Sequence, residues 1–257
     1  MNVRRIVVAT AIAALSAGCS NNGTDNASSS GPTSTPSATS SSPSPSGAYQ
    51  VSIDPANFTA SVTNPWFPLV PGTTFIYEGV KEGKPLRDVF EVTNRTTTIE
   101  GVPCVVVKDQ GFLDGVLSER TSDYYTQDLQ GNVWYFGEDT AELSPSGAVK
   151  NTEGTWHAGV DGAQPGIYID ADPTVGGTHR QEYYAGQAED QYLVLSLSAS
   201  IKVPYGSFHD VVQTKEWTEL EPHVIDHKYY VKGVGEVAEE SAAGPTERAL
   251  LVSVTHA

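Results

Sequence analysis

Basic side chains are scarce in this 257-residue chain: 15 Lys and Arg stand against 31 Asp and Glu, a formal charge of −16. No nucleic-acid partner is expected, because phosphate binding needs clustered Lys and Arg to displace counterions. Cysteine is nearly missing, with only Cys19 and Cys104, so a disulfide framework is ruled out. Long apolar runs are missing too. The longest, Ile6 to Ala17, falls short of the roughly 20 residues that span a bilayer as a helix. Helical patterning is equally thin, since past Ser20 no window keeps apolar residues at three- and four-residue spacing for three turns. Glu182 to Tyr192 alone allows a short helix, and Gly186 weakens it. The 12 Tyr, 7 Phe and 4 Trp are ample for a globular core.

The first residues read as an export signal. Arg4 and Arg5 form a positive n-region, Ile6 to Leu15 a short apolar h-region, and Ser16-Ala17-Gly18 a run of small residues directly before Cys19. This resembles a bacterial lipoprotein signal, which implies cleavage after residue 18, a diacylglycerol on the Cys19 thiol and palmitate-type lipidation of the mature chain. Leu15 lies four residues before Cys19 where three is more usual, with Ser16 in the favoured slot. Ordinary secretion with cleavage near Ala17 is the alternative. With Cys19 acylated, Cys104 has no partner. It sits in the apolar run Val102-Pro103-Cys104-Val105-Val106-Val107, where a thiol behaves as a small core hydrophobe rather than a nucleophile.

Residues 19–48 are dominated by Ser, with Thr, Pro, Gly and Asn, one charge at Asp25, and no aromatic. Such a segment cannot bury enough apolar area to offset its ordering entropy. Its root-mean-square reach is roughly 30 Å at ~5–6 Å per square root of residue number, which suits a tether. Losing Arg4 and Arg5 with residues 1–18 leaves 13 of the 15 basic side chains against 31 acidic ones, or −18. Anionic headgroups would repel such a domain, so the expected membrane partner is reached through the lipid on Cys19. The expected location is the extracytoplasmic face of the cell membrane.

Residues 49–257 are one domain's worth of chain, and their local signals favour strands. Thr73 to Glu78 is β-branched and aromatic and follows the turn pair Pro71-Gly72. Val89 to Thr98 turns at Glu100-Gly101 into Val102 to Lys108. Tyr124-Tyr125-Thr126 and Val133 to Phe136 flank Gln130-Gly131-Asn132 as a hairpin. From Tyr192 to Ser198, Leu193, Leu195 and Leu197 share one face. The expected class is all-β and antiparallel, with few or no helices. A sheet of about ten strands must curl or split to cover its apolar face. A strongly curved half-barrel or irregular barrel is expected, with a two-sheet sandwich as the alternative.

Four segments carry a resemblance: Asn64-Pro65-Trp66-Phe67-Pro68-Leu69-Val70-Pro71-Gly72-Thr73, Gly131 to Asp139 (GNVWYFGED), Val203 to Phe208 (VPYGSF) and Lys228 to Val237 (KYYVKGVGEV). Together they are similar to a group of uncharacterised bacterial secreted lipoproteins with an all-β domain. The resemblance implies fold and location, and no established activity.

Chemistry-bearing constellations are weak. His223 and His227 have metalloprotease spacing without its glutamate, and on a strand four residues span about 13 Å, too far to share one zinc. Ser207, His209 and Asp210 alternate faces and cannot converge as a triad. No metal, cofactor or catalytic residue is expected from these. The acidic pairs Glu138-Asp139, Asp170-Asp172, Glu189-Asp190, Glu219-Glu221 and Glu239-Glu240 read mostly as solvated loops. The aromatic doublets are more unusual. Tyr124-Tyr125, Trp134-Tyr135-Phe136, Tyr183-Tyr184 and Tyr229-Tyr230 each give one ring to either sheet face. Tyr124, Tyr125, Trp134, Tyr183, Tyr184, Tyr229 and Tyr230 are therefore the candidate ligand-binding residues for a small, apolar or cell-envelope ligand. Plain cross-strand pairing is the other reading of these rings. The rival functions are a hydrolase using buried carboxylates such as Glu182 or Glu216, and a protein-recruiting scaffold.

Overall fold

A computed structural model describes residues 49–257. The signal segment, Cys19 and the Ser/Pro-rich stretch lie outside the described residues.

Paired acidic-glycine turns start the sheet. Glu82-Gly83, Glu100-Gly101 and Asp114-Gly115 all hold both residues at positive φ, the two-residue hairpin geometry whose twist matches that of the flanking strands. They join β2 (Thr73–Lys81), β3 (Lys84–Ile99), β4 (Val102–Leu113) and β5 (Val116–Asp128). Before them stands the two-residue β1 (Phe58–Thr59), after a 3₁₀ turn at Pro55–Asn57, and no α-helix occurs among the described residues. Then come β6 (Val133–Leu143), β7 (Val149–Asn151), β8 (Trp156–His157), β9 (Gln164–Ile169), β10 (Thr178–Arg180) and β11 (Glu182–Tyr183). The chain ends with β12 (Asp190–Val203), β13 (Gly206–Thr218), β14 (Ile225–Val231), β15 (Gly235–Ala243) and β16 (Glu247–His256).

All pairings are antiparallel. The sheet runs β10-β12-β13-β14-β15-β16-β2-β3-β4-β5-β6-β9-β11, so neighbours in sequence are mostly neighbours in space, and the last strand meets β2. The result is a nearly closed barrel with one unsealed seam, the curled alternative rather than the sandwich. The seam lies between β9 and β10. The two approach so closely that a Cβ on Gly166 would sit 2.2 Å from the Arg180 carbonyl oxygen. Side chains bind the edges instead of a ladder: Asp170 Oδ2 accepts from the Tyr192 hydroxyl at 2.9 Å, and Asp170 Oδ1 pairs with His179 Nε2 at 3.0 Å. Gln181 Nε2 donates to the Tyr168 carbonyl at 3.3 Å.

One local expectation is corrected. Glu182 to Tyr192 is not helical: Glu182 pairs with Pro165 and Asp190 with Thr218, with a turn at positive-φ Gly186 between them. Competing ladder partners at both ends outweigh a helix too short to nucleate alone. On β12 the leucine stripe faces outward, with Leu195 and Leu197 exposed, while Tyr192 and Val194 are buried. Cys104 is a fully buried core residue, and burial pushes its thiol up to about 12.

Three of the four resemblance segments meet in one apolar assembly. The Phe67 ring packs against Phe90, Tyr125 and Tyr168, the last at 4.7 Å between centroids. Asn64 Nδ2 donates to the carbonyls of Gly131 and Asp170, and Asn64 Oδ1 accepts from the Trp66 N–H. The Gly233 N–H donates to the Pro65 carbonyl. The Asn-Pro-Trp-Phe-Pro segment is therefore an apolar plug, held by the β5–β6 turn and the β14–β15 hairpin.

Candidate functional site

Strand alternation decides what faces the barrel interior, and here it selects acids. Across the β5–β6 ladder Tyr125 lies opposite Tyr135, Asp123 opposite Glu138, and Thr121 opposite Thr140. Across β13–β14 Glu216 lies opposite Asp226, and across β14–β15 Lys228 lies opposite Glu239. Each ladder thus steps from aromatic or aliphatic residues near the Phe67 plug to carboxylates farther along the strand.

Except for Glu138 and Thr140, these side chains line a chamber with about 40 Å³ of space for water-sized occupants. That is room for a few waters or one small ion, since one water needs roughly 10–15 Å³ on this measure. Eight acidic side chains and one basic one, Lys228, line it, together with Tyr125, Tyr135, Tyr168 and Gln181. Glu119, one of the eight, is half-buried.

Lys228 satisfies one side. Its Nζ sits 2.9 Å from Glu216 Oε2 and 5.7 Å from the centre of the Tyr168 ring. Glu216 Oε1 also accepts from the Thr214 and Tyr230 hydroxyls at 3.1 and 3.2 Å. Burial works against the ammonium, but the Glu216 carboxylate prevails and holds its pKa well above the usual lysine value.

The other side is different. Glu138 is 0% exposed and Glu182 2%, and no donor among the described residues makes a hydrogen bond to any of their four carboxylate oxygens. Tyr135 lies near Glu138 and Trp156 near Glu182, and each pulls its neighbour's pKa down somewhat. Neither donor completes a bond, and the Tyr135 proton is already given to Asp123 Oδ1 at 2.8 Å. Burial first, and then Glu182 and Asp123, drive Glu138 well above the carboxylate range. Burial first, and then Asp190, do the same to Glu182. Glu119 is pushed up to about 8 by burial and by Asp109, and Glu239 is raised by burial despite Lys228. Such groups stay protonated near neutral pH unless a cation replaces the proton.

The expectation of solvated acidic pairs is corrected here. In Glu138-Asp139 and Glu239-Glu240 the first member is buried and the second lies toward solvent, because adjacent strand residues face opposite ways. Glu182 and Glu216, the acids of the rival hydrolase reading, both line the chamber.

The aromatic candidates divide. Tyr125 lines the chamber, and buried Tyr230 hydrogen-bonds Glu216 on its wall. Tyr124 sits on the other face, its hydroxyl on Asp139 and its ring edge-on to His157. Trp134 donates its indole N–H to Asp128 Oδ2 at 2.8 Å. Tyr183 lies under the Arg180 guanidinium at 5.0 Å. Tyr184 belongs with Trp156 and His157 to a separate shallow pocket. Tyr229 takes a hydrogen bond from Gln213. The seven thus form no single surface. Tyr135 and Tyr168 complete the aromatic lining instead. Tyr135 and Glu138 are three residues apart and are brought into step with Tyr125 and Asp123 only by a register shift in the β5–β6 ladder, which simple alternation does not reveal. His223 lies in a turn and His227 on β14, so the two share no site. His209 pairs with Ser200 rather than Ser207.

No protein-family model matches this chain, and no curated protein does. Two solved structures are similar in outline. A protein of Bacteroides fragilis, provisionally described as exported and of YmcC-like fold, is 15% identical, with a TM-score of 0.44 over 74% of this chain and 98% of its own. A protein of Parabacteroides distasonis, provisionally described as a lipoprotein, is 12% identical, with a TM-score of 0.41 over 75% of this chain and 99% of its own.

Proposed function

We propose that this chain is an extracytoplasmic lipoprotein, anchored through Cys19 after loss of residues 1–18 and held off the membrane by residues 19–48. Its barrel, residues 49–257, binds a small polar molecule of the cell envelope in the acid-lined chamber. The orphaned carboxylate of Glu182, aimed into that chamber, carries this reading, because a buried acceptor without a donor is a standing penalty that a bound donor relieves. The chamber volume and its carboxylates favour a compact polar ligand over the apolar one that the aromatic doublets suggest.

The hydrolase alternative draws support from Glu138 and Glu182, whose raised pKa values suit a general acid. Its weakness is space: a chamber of about 40 Å³ admits water but no sugar ring or acyl chain. Mass spectrometry tests the binding reading. The chain, isolated from membranes without denaturation, should carry a small-molecule mass increment that is lost on unfolding and is absent from Glu182→Gln. An intact mass equal to the bare lipidated chain would overturn it. The same spectrum should place diacylglycerol on Cys19.

A further inference from the structure

We infer that the ligand carries an ammonium group, and that Glu182 on the chamber wall holds it as Glu216 already holds the ammonium of Lys228. This rests on the chamber reading above and names its ligand class.

The chain itself supplies the template. Around Lys228 an ammonium is kept in the interior by a carboxylate at 2.9 Å and a tyrosine face at 5.7 Å. The part of the lining around Glu182 offers the same two elements. Glu182 brings two carboxylate oxygens without a completed hydrogen bond and lines the chamber with Tyr125 and Tyr135, whose rings stack at 4.8 Å. The buried Glu138, outside the lining, interacts with Glu182. What that wall lacks is a second lysine. Hydrogen-bonding cations suit it better than bare metal ions, because no group of three or more His, Cys, Asp or Glu among the described residues has metal-binding geometry. Directed N–H donors, by contrast, match orphaned acceptors one for one, and a tyrosine face adds cation–π attraction. The available space fits ammonium itself or the end of a primary amine, and excludes a quaternary ammonium.

Charge must balance in this interior. Asp123 and Glu119 from β5, Asp190 from β12, Tyr135 from β6 and Lys228 from β14 all face the pair. One cation added to protonated Glu182 would leave net charge behind, so the acid releases one proton to solvent as the ammonium enters. Uptake is an exchange: R–NH₃⁺ in, H⁺ out, with Glu182 passing from carboxylic acid to carboxylate.

Calorimetric titration of the purified full chain with ammonium and methylammonium chloride, at constant ionic strength, tests this. Run in two buffers of different ionisation enthalpy, it should show one saturable site releasing up to one proton per cation. Tetramethylammonium should give no saturable heat, and potassium at least tenfold weaker binding. Glu182→Gln and Glu138→Gln should each weaken ammonium tenfold or more. Protection of ¹⁵N-ammonium protons in the wild type is a readout that needs no variant. Equal binding of potassium and ammonium, unchanged binding by both variants, or no saturable heat would overturn the inference. Such a failure, with a small molecule still retained by the native chain, would remove the ammonium assignment and leave the chamber reading intact. No heat together with no retained molecule would remove both.

Discussion

Glu182→Gln should make the barrel more stable at neutral pH, although it alters a buried residue. Glu182 is 2% exposed, and none of its carboxylate oxygens has a hydrogen-bond partner. Its pKa in the folded barrel is raised by burial and by Asp190, whereas in the unfolded chain it titrates near the ordinary value of about 4.3. Between those two values the native state binds the extra proton, so stability falls as pH rises. The stabilisation is fully present below about pH 4.3 and is lost as pH climbs toward the folded pKa, at up to about 1.4 kcal/mol per pH unit. A glutamine is close in shape to protonated glutamic acid and carries no such liability. The two proteins should therefore match near pH 4 to 5 and diverge above it, with the variant the more stable at pH 7. Carboxylates common to both cancel in the difference. Urea unfolding from pH 4.5 to 8 in ammonium-free buffer measures it. Parallel pH profiles, or a variant less stable than wild type at pH 7, would refute the reasoning, because Glu182 would then be an ionised and partnered group.

Three further outcomes follow from the packing. Phe67→Ala removes the ring that touches Phe90, Tyr125 and Tyr168, and should cost about 3–5 kcal/mol in chemical denaturation. Asp170→Ala strips the seam of its acceptor for Tyr192 and His179. A loss of about 1–3 kcal/mol is expected, with faster amide exchange confined to residues 164–169 and 178–180. Cys104, buried with its thiol pushed up to about 12, should resist iodoacetamide at pH 8 in the native barrel and react only with the unfolding rate.

The strands were legible because their cues are local. Thr73 to Glu78, the Glu100-Gly101 turn and the Gln130-Gly131-Asn132 hairpin need only propensity and turn geometry, and the structure has all three. The curl of the sheet followed from its size. The interior was harder to read, since neighbouring acids such as Glu138 and Asp139 go to opposite faces, and which face is inside depends on register. The leucines of β12 show the same limit: their stripe is regular, yet the barrel buries Tyr192 and Val194 instead. Alternation reports that two faces differ, not which one is enclosed. The role of the Asn64 to Pro68 segment was also hidden. Its partners, Gly131, Asp170 and Gly233, are scattered over the chain, and only the closed sheet brings them to one place. Of the aromatic doublets, Tyr125 and Tyr230 face the interior, while Tyr124, Trp134 and Tyr229 pair elsewhere.

The most direct test is a carbon-13 NMR titration of the glutamate side-chain carboxyls from pH 3 to 10. Glu138, Glu182 and Glu239 should titrate well above the ordinary carboxylate range, and Glu119 at about 8, with Glu138 and Glu182 moving down when ammonium is added. If every glutamate titrates within the ordinary range, the interior is a solvated surface and no ligand chamber exists there.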